Sequence, residues 1–448
     1  MLIQAMTAVF DKIIQHSSYI HLTKPIIEQA MGVTYAIKPT IVFLGRLVTI
    51  IIGVATVAIT YFSGKQLTKN VYIGLAASLL VAISPTTVSL NRLITPDSYA
   101  AFFSMVVLLA SIYVFQRGGN IEYAIAGLGF GLAISSKYNS GTILVIFLAA
   151  HFLRSGIRGF KDIRLYLTIL MGLIVFVLLN PYALLDFSEF QAGFISTGQH
   201  YATGHAGMEG EPFKFYLEIM WLTGGLLYIL SALEIIRGII TRSRDSILLS
   251  SFVVVYFTFI NLYIVRNERT FFLLVPFLCL LSASFFVKAY KYMINNKYVV
   301  IRKYAIPLIA CIAGLTLYRP VTQTIDNTAS LTKPNNRETA RVWIMNNLPQ
   351  WSKIALESYS PFIDPKRYTV YGFTRIIDNN PNWYIENSID YLIFCQGMFG
   401  RYYYDPIHYP KEAEQYNSFF SLLTEVKVFP DADYEVRIYK LDKRVIYK

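Results

Sequence analysis

Apolar stretches separated by short polar segments occupy the chain from residue 41 to residue 319. Each approaches the ~20 residues that a helix needs to cross a hydrocarbon core about 30 Å thick. The ten stretches are 41–62, 71–90, 98–116, 121–135, 139–153, 165–181, 215–236, 247–264, 270–287 and 304–319. The runs at 121–135 and 139–153 are short, so they are either two helices or one re-entrant pair. The pattern predicts a mostly α, polytopic transmembrane helical bundle of about ten helices.

The pattern changes after Pro320, where the chain becomes polar and its periodicity varies. Helical periodicity occurs at 337–348 and near 411–425. Strand-like runs occur at 353–357, 368–371, 391–395, 426–429 and 435–440. We therefore predict three regions: an amphipathic segment at 1–40, a transmembrane domain at 41–320 and a C-terminal extracytoplasmic α/β domain at 321–448.

Composition supports a membrane protein. The chain is 54% hydrophobic and 15% charged, with a mean hydropathy of +0.45, whereas soluble proteins carry about 25% charged residues. The formal net charge is +12. In a membrane protein, such an excess is typical of cytoplasmic loops that face anionic lipid. The composition excludes an ordinary soluble domain, and we expect no nucleic-acid partner.

Positive charge is distributed unevenly between the two sets of loops. One set contains 15 basic residues: Lys65, Lys69, Arg117, Arg154, Arg158, Lys161, Arg164, Arg237, Arg242, Arg244, Lys288, Lys291, Lys297, Arg302 and Lys303. The other contains 5: Arg92, Lys137, Lys214, Arg266 and Arg269. The positive-inside rule assigns the first set to the cytoplasm and both termini to the outside. We expect a further transmembrane helix to precede residues 1–40.

Asp97 lies where the second outer loop re-enters the membrane, directly after Pro96 and five residues after Arg92. A helix N-terminus favours a carboxylate at this position. Ionisable groups at membrane boundaries are often functional, but a carboxylate that only caps its helix is an equal alternative. We predict Asp97 as a catalytic residue and Arg92 as a substrate-binding residue.

Two further cations stand at outer boundaries. Lys137, followed by Tyr138, lies between two short apolar runs, and Arg269 follows Glu268 before an apolar run. A lysine can hold phosphate as a point charge, and an arginine can hold it with a planar fork. The alternatives are a lysine that extends to lipid headgroups and an arginine paired with Glu268. We predict that Lys137, Tyr138 and Arg269 bind substrate.

The outer loop at 182–214 is unusually long and contains His200 and His205. Loops longer than ~12–15 residues are uncommon unless they have a function. The two histidines and nearby carboxylates could bind a divalent metal, but their spacing is not that of a zinc-protease helix. We predict a flexible loop that covers the substrate, with both histidines binding substrate and no resident metal.

Motifs for other chemistries are absent. The sequence contains no G-x-x-x-x-G-K-[ST], no G-x-S-x-G and no G-x-G-x-x-G after a strand, so nucleotide hydrolysis and serine-hydrolase activity have no support. The 33 tyrosines and 31 phenylalanines are more typical of membrane-interface belts and packing than of a sugar-binding platform.

A succession of loose motifs resembles a known family. In order they are LGRLVTIIIGVATVAITYFSGKQL, ISPTTVSLNRLITPDSYAAFFSMVVLL, GLGFGLAISSKYN, NPYALLDFSEF and RNERTFFLLVPFLCLLSA. They resemble bacterial polyprenol-phosphate-sugar glycosyltransferases of the C-type integral-membrane fold, relatives of the protein mannosyltransferases and of the aminoarabinose lipid A transferase. The stretch WIMNNLPQWSKIALESYSP is similar to the C-terminal periplasmic domain of such proteins.

The resemblance implies a membrane glycosyltransferase that uses a polyprenyl-phosphate sugar on the outer face of the inner membrane. Asp97 would position the acceptor or the donor sugar, while Lys137 and Arg269 would bind the lipid phosphate. Family members carry an acidic motif in their first outer loop, which is taken to be the catalytic base. Residues 1–40 contain no counterpart of this motif, only the isolated Asp11 and Glu28.

The expected chemistry is a single displacement that inverts the anomeric carbon and needs no nucleotide or soluble cofactor. Cations stabilise the departing phosphate, and a carboxylate takes the acceptor's hydroxyl proton. The partners are the donor, a lipid, glycan or protein acceptor, and membrane lipids. A transporter of lipid-linked intermediates and a non-catalytic relative are the alternatives.

Overall fold

The computed structural model describes residues 39–204, 206–331, 335–430 and 434–441. Two compact units are formed: Leu44–Asn327 is one, and the chain from Thr328 onward belongs to the other. The first is helical, and the second contains a sheet. The predicted amphipathic segment at 1–40 lies outside the described residues, except for positions 39 and 40 at the start of the first described helix.

Among the described residues, fifteen helices precede the second unit's sheet and its flanking helices. They are α1 Pro39–Thr68, α2 Val71–Ala82, α3 Pro85–Asn91, α4 Pro96–Gln116, α5 Asn120–Ser136, α6 Leu144–Ser155, α7 Ile163–Leu179, α8 Tyr182–Leu185, α9 Phe187–Thr203, α10 Pro212–Thr223, α11 Leu226–Ile240, α12 Arg244–Ile260, α13 Glu268–Phe271, α14 Val275–Ile294 and α15 Val299–Ser330. Short 3₁₀ turns occupy Tyr138–Ile143, Gly156–Lys161 and Phe272–Leu274.

The ten predicted apolar runs are all helical, which confirms the predicted fold class. Among the described residues, five helical segments are long and apolar enough to span a membrane, and seven if two bent pairs each count as one span. The bent pairs are α2 with α3, at 59°, and α10 with α11, at 116°. A proline at the start of α3 and two consecutive glycines before α11 explain why these runs break.

Burial separates the central helices from the peripheral ones. The most apolar window of Glu268–Ile294 is 89% buried within the protein, whereas that of Val299–Ser330 is only 11% buried. An apolar helix with so little protein around it is expected to face lipid. Hydropathy alone predicts both segments as spans but does not distinguish these positions.

Glycines allow α5 and α7 to approach closely. A Cβ atom added at Gly131 would lie 2.6 Å from the carbonyl oxygen of Gly172, and one at Gly127 would lie 2.7 Å from that of Thr168. Small residues four apart permit such backbone contact between membrane helices. This packing holds the helix that ends just before Lys137.

The segment at 182–214 differs from the predicted loop. It contains α8 and the 17-residue α9, which has no buried residue. Asp186 caps α9, since its carboxylate accepts a hydrogen bond from the backbone N–H of Glu189 at 3.4 Å. The segment is therefore largely helical, because a capped start and an apolar side with Phe190 and Phe194 favour a surface helix.

A buried carboxylate joins three helices at their basic ends. Glu234 of α11 is fully buried, and its oxygens accept hydrogen bonds from Arg237 and from Lys288 of α14, the latter at 2.8 Å. Hydroxyl groups of Ser246, in α12, and Ser284 donate to it at 2.7 and 3.1 Å. The carboxylate of Glu234 is thus paired with cations, and its oxygens have hydrogen-bond partners, as a buried charge requires.

The second unit contains a five-stranded mixed sheet in the order β2-β1-β3-β5-β4. The strands are β1 Lys353–Glu357, β2 Thr369–Phe373, β3 Tyr391–Cys395, β4 Thr424–Phe429 and β5 Val436–Lys440. The helices are α16 Asn336–Asn347, α17 Pro381–Glu386, α18 Gln396–Tyr404 and α19 Pro410–Leu422. β1 pairs in parallel with β2 and β3, while β5 is antiparallel to β3 and β4. The predicted helices and strands of this unit are confirmed. For most of them, the observed first and last residues lie within about two residues of the predicted ones.

Glu357, at the end of β1, is an unusual buried acid in this unit. Its carboxyl oxygens accept hydrogen bonds from the backbone N–H of Cys395 at 3.0 Å and from the hydroxyl of Tyr416 at 2.9 Å. No cation pairs with it among the described residues. Burial therefore raises the pKa of Glu357 to about 8, although these hydrogen bonds lower it in part.

We expect stability of this unit to fall as pH rises from 6 to 8. The unfolded carboxyl, with its pKa near 4.5, is already ionised in that range, whereas the folded one still holds a proton. The free energy of unfolding should fall by at most about 1.4 kcal/mol per pH unit. Unfolding of the full chain can be followed by tryptophan fluorescence, because Trp343, Trp351 and Trp383 lie in this unit. Glu357→Gln should flatten the profile, and exposed Glu386→Gln should not. Equal slopes in all three proteins would contradict the assignment.

Candidate active site at the Asp97 cluster

Three charged residues predicted from the sequence meet in one cluster. The Nζ of Lys137 lies 2.7 Å from Oδ1 of Asp97, and the Nη2 and Nε of Arg269 lie 2.6 and 2.8 Å from Oδ2. The Asp97 side chain is 1% exposed, whereas those of Lys137 and Arg269 are 22% and 43% exposed. We call these three residues the Asp97 cluster.

Asp97 stands in the first turn of α4, after Pro96 at the first helical position. The residue in the N-cap position is Thr95, whose side chain makes no capping hydrogen bond. Both carboxylate oxygens of Asp97 accept hydrogen bonds from cations of other segments. Simple helix capping therefore does not account for this side chain.

Lys137 is placed by the break between α5 and α6. Its backbone is extended at φ −159°, and its N–H closes α5 on the carbonyl of Ala133 at 3.1 Å. The hydroxyl of Ser140 also donates to that carbonyl at 2.6 Å, which fixes the turn. The helix thus ends where the ammonium group reaches Asp97.

Arg269 is placed by the short helix α13. The side chain of Asn267 caps this helix by accepting a hydrogen bond from the backbone N–H of Arg269 at 2.9 Å. Glu268 accepts a hydrogen bond from the hydroxyl of Thr86 at 3.0 Å. The alternative pairing of Arg269 with Glu268 is therefore not the one observed.

A cavity of about 410 Å³ adjoins the cluster at Lys137. Its wall is largely apolar and includes the aromatic residues Tyr138, Phe194, Tyr201 and Tyr263. The volume falls within the range of small-molecule sites, about 300–1,000 Å³. Aromatic walls with a cation at one edge suit an amphiphilic ligand with an anionic group.

The other predicted substrate-binding residues have different positions. Tyr138 lines the cavity and packs edge-on against Phe194, with ring centroids 5.6 Å apart. His200 lies on α9, with its ring against that of Tyr201. Arg92 donates to the carbonyl of Ser89 at 3.2 Å and does not contact Asp97 in this structure. His205 lies outside the described residues.

Tyr256 was not predicted as a site residue. Its hydroxyl accepts a hydrogen bond from Nδ2 of Asn139 at 2.8 Å and donates to the carbonyl of Thr270 at 2.9 Å. It thereby connects the chain after Lys137 to the chain after Arg269. The sequence offers no signal for this role, because Tyr256 lies within an apolar run that is rich in aromatic residues.

The described residues contain no group of three or more histidine, cysteine or acidic side chains that could hold a metal ion. The expected absence of a cofactor stays a prediction. The Asp97 cluster itself contains two cations and one carboxylate, so it has a net charge of +1 at neutral pH. Its exposed groups are the cations, and the arrangement can therefore bind an anion.

Residues 30–180 match the family model described as dolichyl-phosphate-mannose-protein mannosyltransferase. This range includes Asp97 and Lys137. No curated protein sequence matches the chain.

Solved structures are similar across most of the chain. ArnT from Cupriavidus metallidurans, bound to undecaprenyl phosphate, matches with a TM-score of 0.56 and 11% identity over 88% of this chain and 83% of that one. The apo oligosaccharyltransferase of Archaeoglobus fulgidus matches with a TM-score of 0.55 and 13% identity, over 94% of this chain and 66% of that one. AglB from Archaeoglobus fulgidus, in complex with an inhibitory peptide and a dolichol-phosphate, matches with a TM-score of 0.53 and 13% identity, over 90% of this chain and 64% of that one. The predicted resemblance is confirmed: the chain has the fold of the C-type integral-membrane glycosyltransferases, and its residues 30–180 match the protein-mannosyltransferase family model.

Proposed function

We propose that this protein transfers a sugar from a polyprenyl-phosphate carrier to a hydroxyl group of a lipid, glycan or protein acceptor. The observation that carries the proposal is the Asp97 cluster, a buried carboxylate with two partly exposed cations at the edge of an aromatic cavity. The transfer takes place on the outer face of the inner membrane and inverts the anomeric carbon. The distribution of basic residues between the loops supports this orientation.

Lys137 and Arg269 bind the phosphate of the donor. The leaving group is an anionic phosphate that needs positive charge more than it needs a proton. Cations held in place before the reaction stabilise the negative charge that grows on the leaving oxygen, and they do so more strongly where water is excluded. The arginine contributes a two-point fork, and the lysine contributes a point charge. The neighbours with undecaprenyl phosphate and dolichol-phosphate support a lipid phosphate as the ligand class.

Asp97 acts as a positioning residue. Both of its oxygens accept hydrogen bonds from the two cations, which favours a role in holding those cations. As the bond between the anomeric carbon and the phosphate oxygen breaks and the acceptor oxygen bonds to that carbon, the acceptor's hydroxyl proton passes to the departing phosphate, whose second pKa is about 6. The buried carboxylate instead holds two flexible side chains in one geometry and lowers the entropy that substrate binding must remove. The cations keep their exposed sides for phosphate.

The aromatic cavity receives the sugar. Its tyrosine and phenylalanine rings offer faces against which the apolar side of a sugar ring can pack. The Oδ1 atom of Asn139 is buried at the cavity wall and has no hydrogen-bond partner among the described residues. Buried polar atoms normally have a partner, and a sugar hydroxyl would supply one here.

Asp97→Asn tests the proposal. We expect turnover of a radiolabelled polyprenyl-phosphate sugar by the full chain in lipid nanodiscs to fall about tenfold or more, because the two cations are no longer held in one geometry. If Asp97 positions the cations, the Kd for undecaprenyl phosphate itself should rise by a similar factor. Asp326→Asn, which changes an exposed carboxylate on α15, should leave both quantities unaltered.

The two readouts separate the possible roles. Slower transfer with unaltered binding of undecaprenyl phosphate would assign Asp97 to proton transfer and contradict the positioning role. Translocation of the lipid-linked sugar across vesicles without a new glycosidic bond would contradict the transferase itself and favour a transporter.

A further inference from the structure

We propose that a basic cavity at the opposite end of the bundle binds the phosphate headgroup of an anionic phospholipid. The cavity has a volume of about 830 Å³ and lies between the ends of α1, α4, α6 and α12. Each of these four helix ends contributes one cation: Lys69, Arg117, Arg154 and Arg244. We call these residues the basic cavity cations.

The cavity is positively charged without compensation in its wall. No aspartate or glutamate lines it, and none of the basic cavity cations forms a salt bridge with a described residue. Lys69 donates to the side-chain oxygen of Gln116 at 2.9 Å, and Arg154 donates to the carbonyl of Phe115 at 3.2 Å. Arg117 lies over the Tyr113 ring at 4.7 Å. Because these partners are neutral, the positive charges of the basic cavity cations are not balanced and repel one another.

A nearby carboxylate does not change this balance. Asp245, next to Arg244, interacts electrostatically with Lys69, but it also interacts with Lys288 and does not line the cavity. The wall itself therefore keeps an excess of positive charge. An anion with two or more oxygens in reach of several helices is the ligand that this arrangement favours.

The position of the cavity favours a lipid over a soluble anion. Asp97 and Gln116 lie near opposite ends of α4, about 28 Å apart at the usual helical rise, so the cavity is at the other boundary of the membrane. Its wall also contains the apolar side chains of Phe115 and Leu153. An amphiphile can use both the cations and the apolar wall, whereas inorganic phosphate uses only the cations. The positive-inside rule predicts this boundary to be the cytoplasmic one, where anionic lipids are abundant.

The test measures lipid binding by the purified full chain in neutral detergent. Native mass spectrometry with added cardiolipin, phosphatidylglycerol or phosphatidylcholine should show tight binding of the two anionic lipids only. The double variant Arg117→Gln/Arg244→Gln should raise the Kd for the anionic lipids at least tenfold, because each basic residue near such a surface contributes roughly a factor of five. Both arginine side chains are exposed, so the variant should fold.

Lys297→Gln/Arg302→Gln is the matched control, since it removes two exposed cations that the charge distribution assigns to the same membrane boundary and that do not line the cavity. It should leave the Kd unaltered. Equal weakening in both double variants would overturn the proposal, as would equal binding of phosphatidylcholine. Displacement of the lipid by millimolar inorganic phosphate would also overturn it, because the site would then recognise a free anion. An unaltered melting temperature of the arginine variant in neutral detergent excludes misfolding as the cause of weaker binding.

Discussion

Arg269→Gln should lower kcat/KM for sugar transfer about 10²- to 10³-fold, the usual loss when one preorganised donor to a developing anion is removed. Two effects add at this position. The phosphate loses the two-point fork, and Asp97 loses the partner on its Oδ2 atom, so that its charge is balanced by Lys137 alone. The measurement is single-turnover transfer from a radiolabelled polyprenyl-phosphate sugar in nanodiscs.

Arg269→Lys distinguishes charge from geometry. A lysine keeps the positive charge but lacks the fork, so we expect a loss between those of the glutamine variant and the unaltered protein. Arg266→Gln is the control, because Arg266 stands three residues earlier but packs on the ring of Phe215 and does not contact Asp97 in this structure. A glutamine variant as active as the unaltered protein would remove Arg269 from the proposed phosphate site.

Glu234→Gln should destabilise the helical unit by about 3–5 kcal/mol, the range found when one partner of a buried ion pair is removed. The amide that replaces the carboxylate presents hydrogen-bond donors to Arg237 and Lys288, which are donors themselves. Since α11, α12 and α14 all contribute to this cluster, the loss should loosen contacts among three helices. Thermal inactivation followed by size-exclusion chromatography in detergent measures the effect as a shorter half-life at a fixed temperature.

Glu218→Gln is the matched control for this stability prediction, because Glu218 is an exposed carboxylate on α10. Its half-life should equal that of the unaltered protein. If Glu234→Gln survived heating equally long, the cluster would not contribute to the packing of the three helices.

The sidedness of the Asp97 cluster follows from the sequence because of how helices alternate. Residues 97, 137 and 269 each lie at the end of an apolar run, and the number of intervening runs places all three ends at the same membrane boundary. The sequence also predicts strands such as 391–395, because buried strands are short, apolar and bounded by turn residues.

Partner choice within the cluster did not follow from the sequence. Glu268 is adjacent to Arg269 along the chain, yet Arg269 pairs with Asp97, 172 residues away. The sequence also does not predict the role of Tyr256, because a tyrosine within an apolar run is indistinguishable from an ordinary packing residue. The helical form of 187–203 was missed, because surface helices can be polar enough to resemble loops.

The sequence by itself determined that the chain enters the membrane many times, which boundary is rich in positive charge and that an α/β domain follows. These properties depend on transfer of apolar residues from water and on local backbone preferences, both of which are local along the chain. Only the tertiary structure decided which helix ends adjoin, how Asp97 meets its two cations and where the two cavities lie. Lateral packing in lipid depends on close contacts such as that of Gly131 with Gly172, and hydropathy contains no information about them.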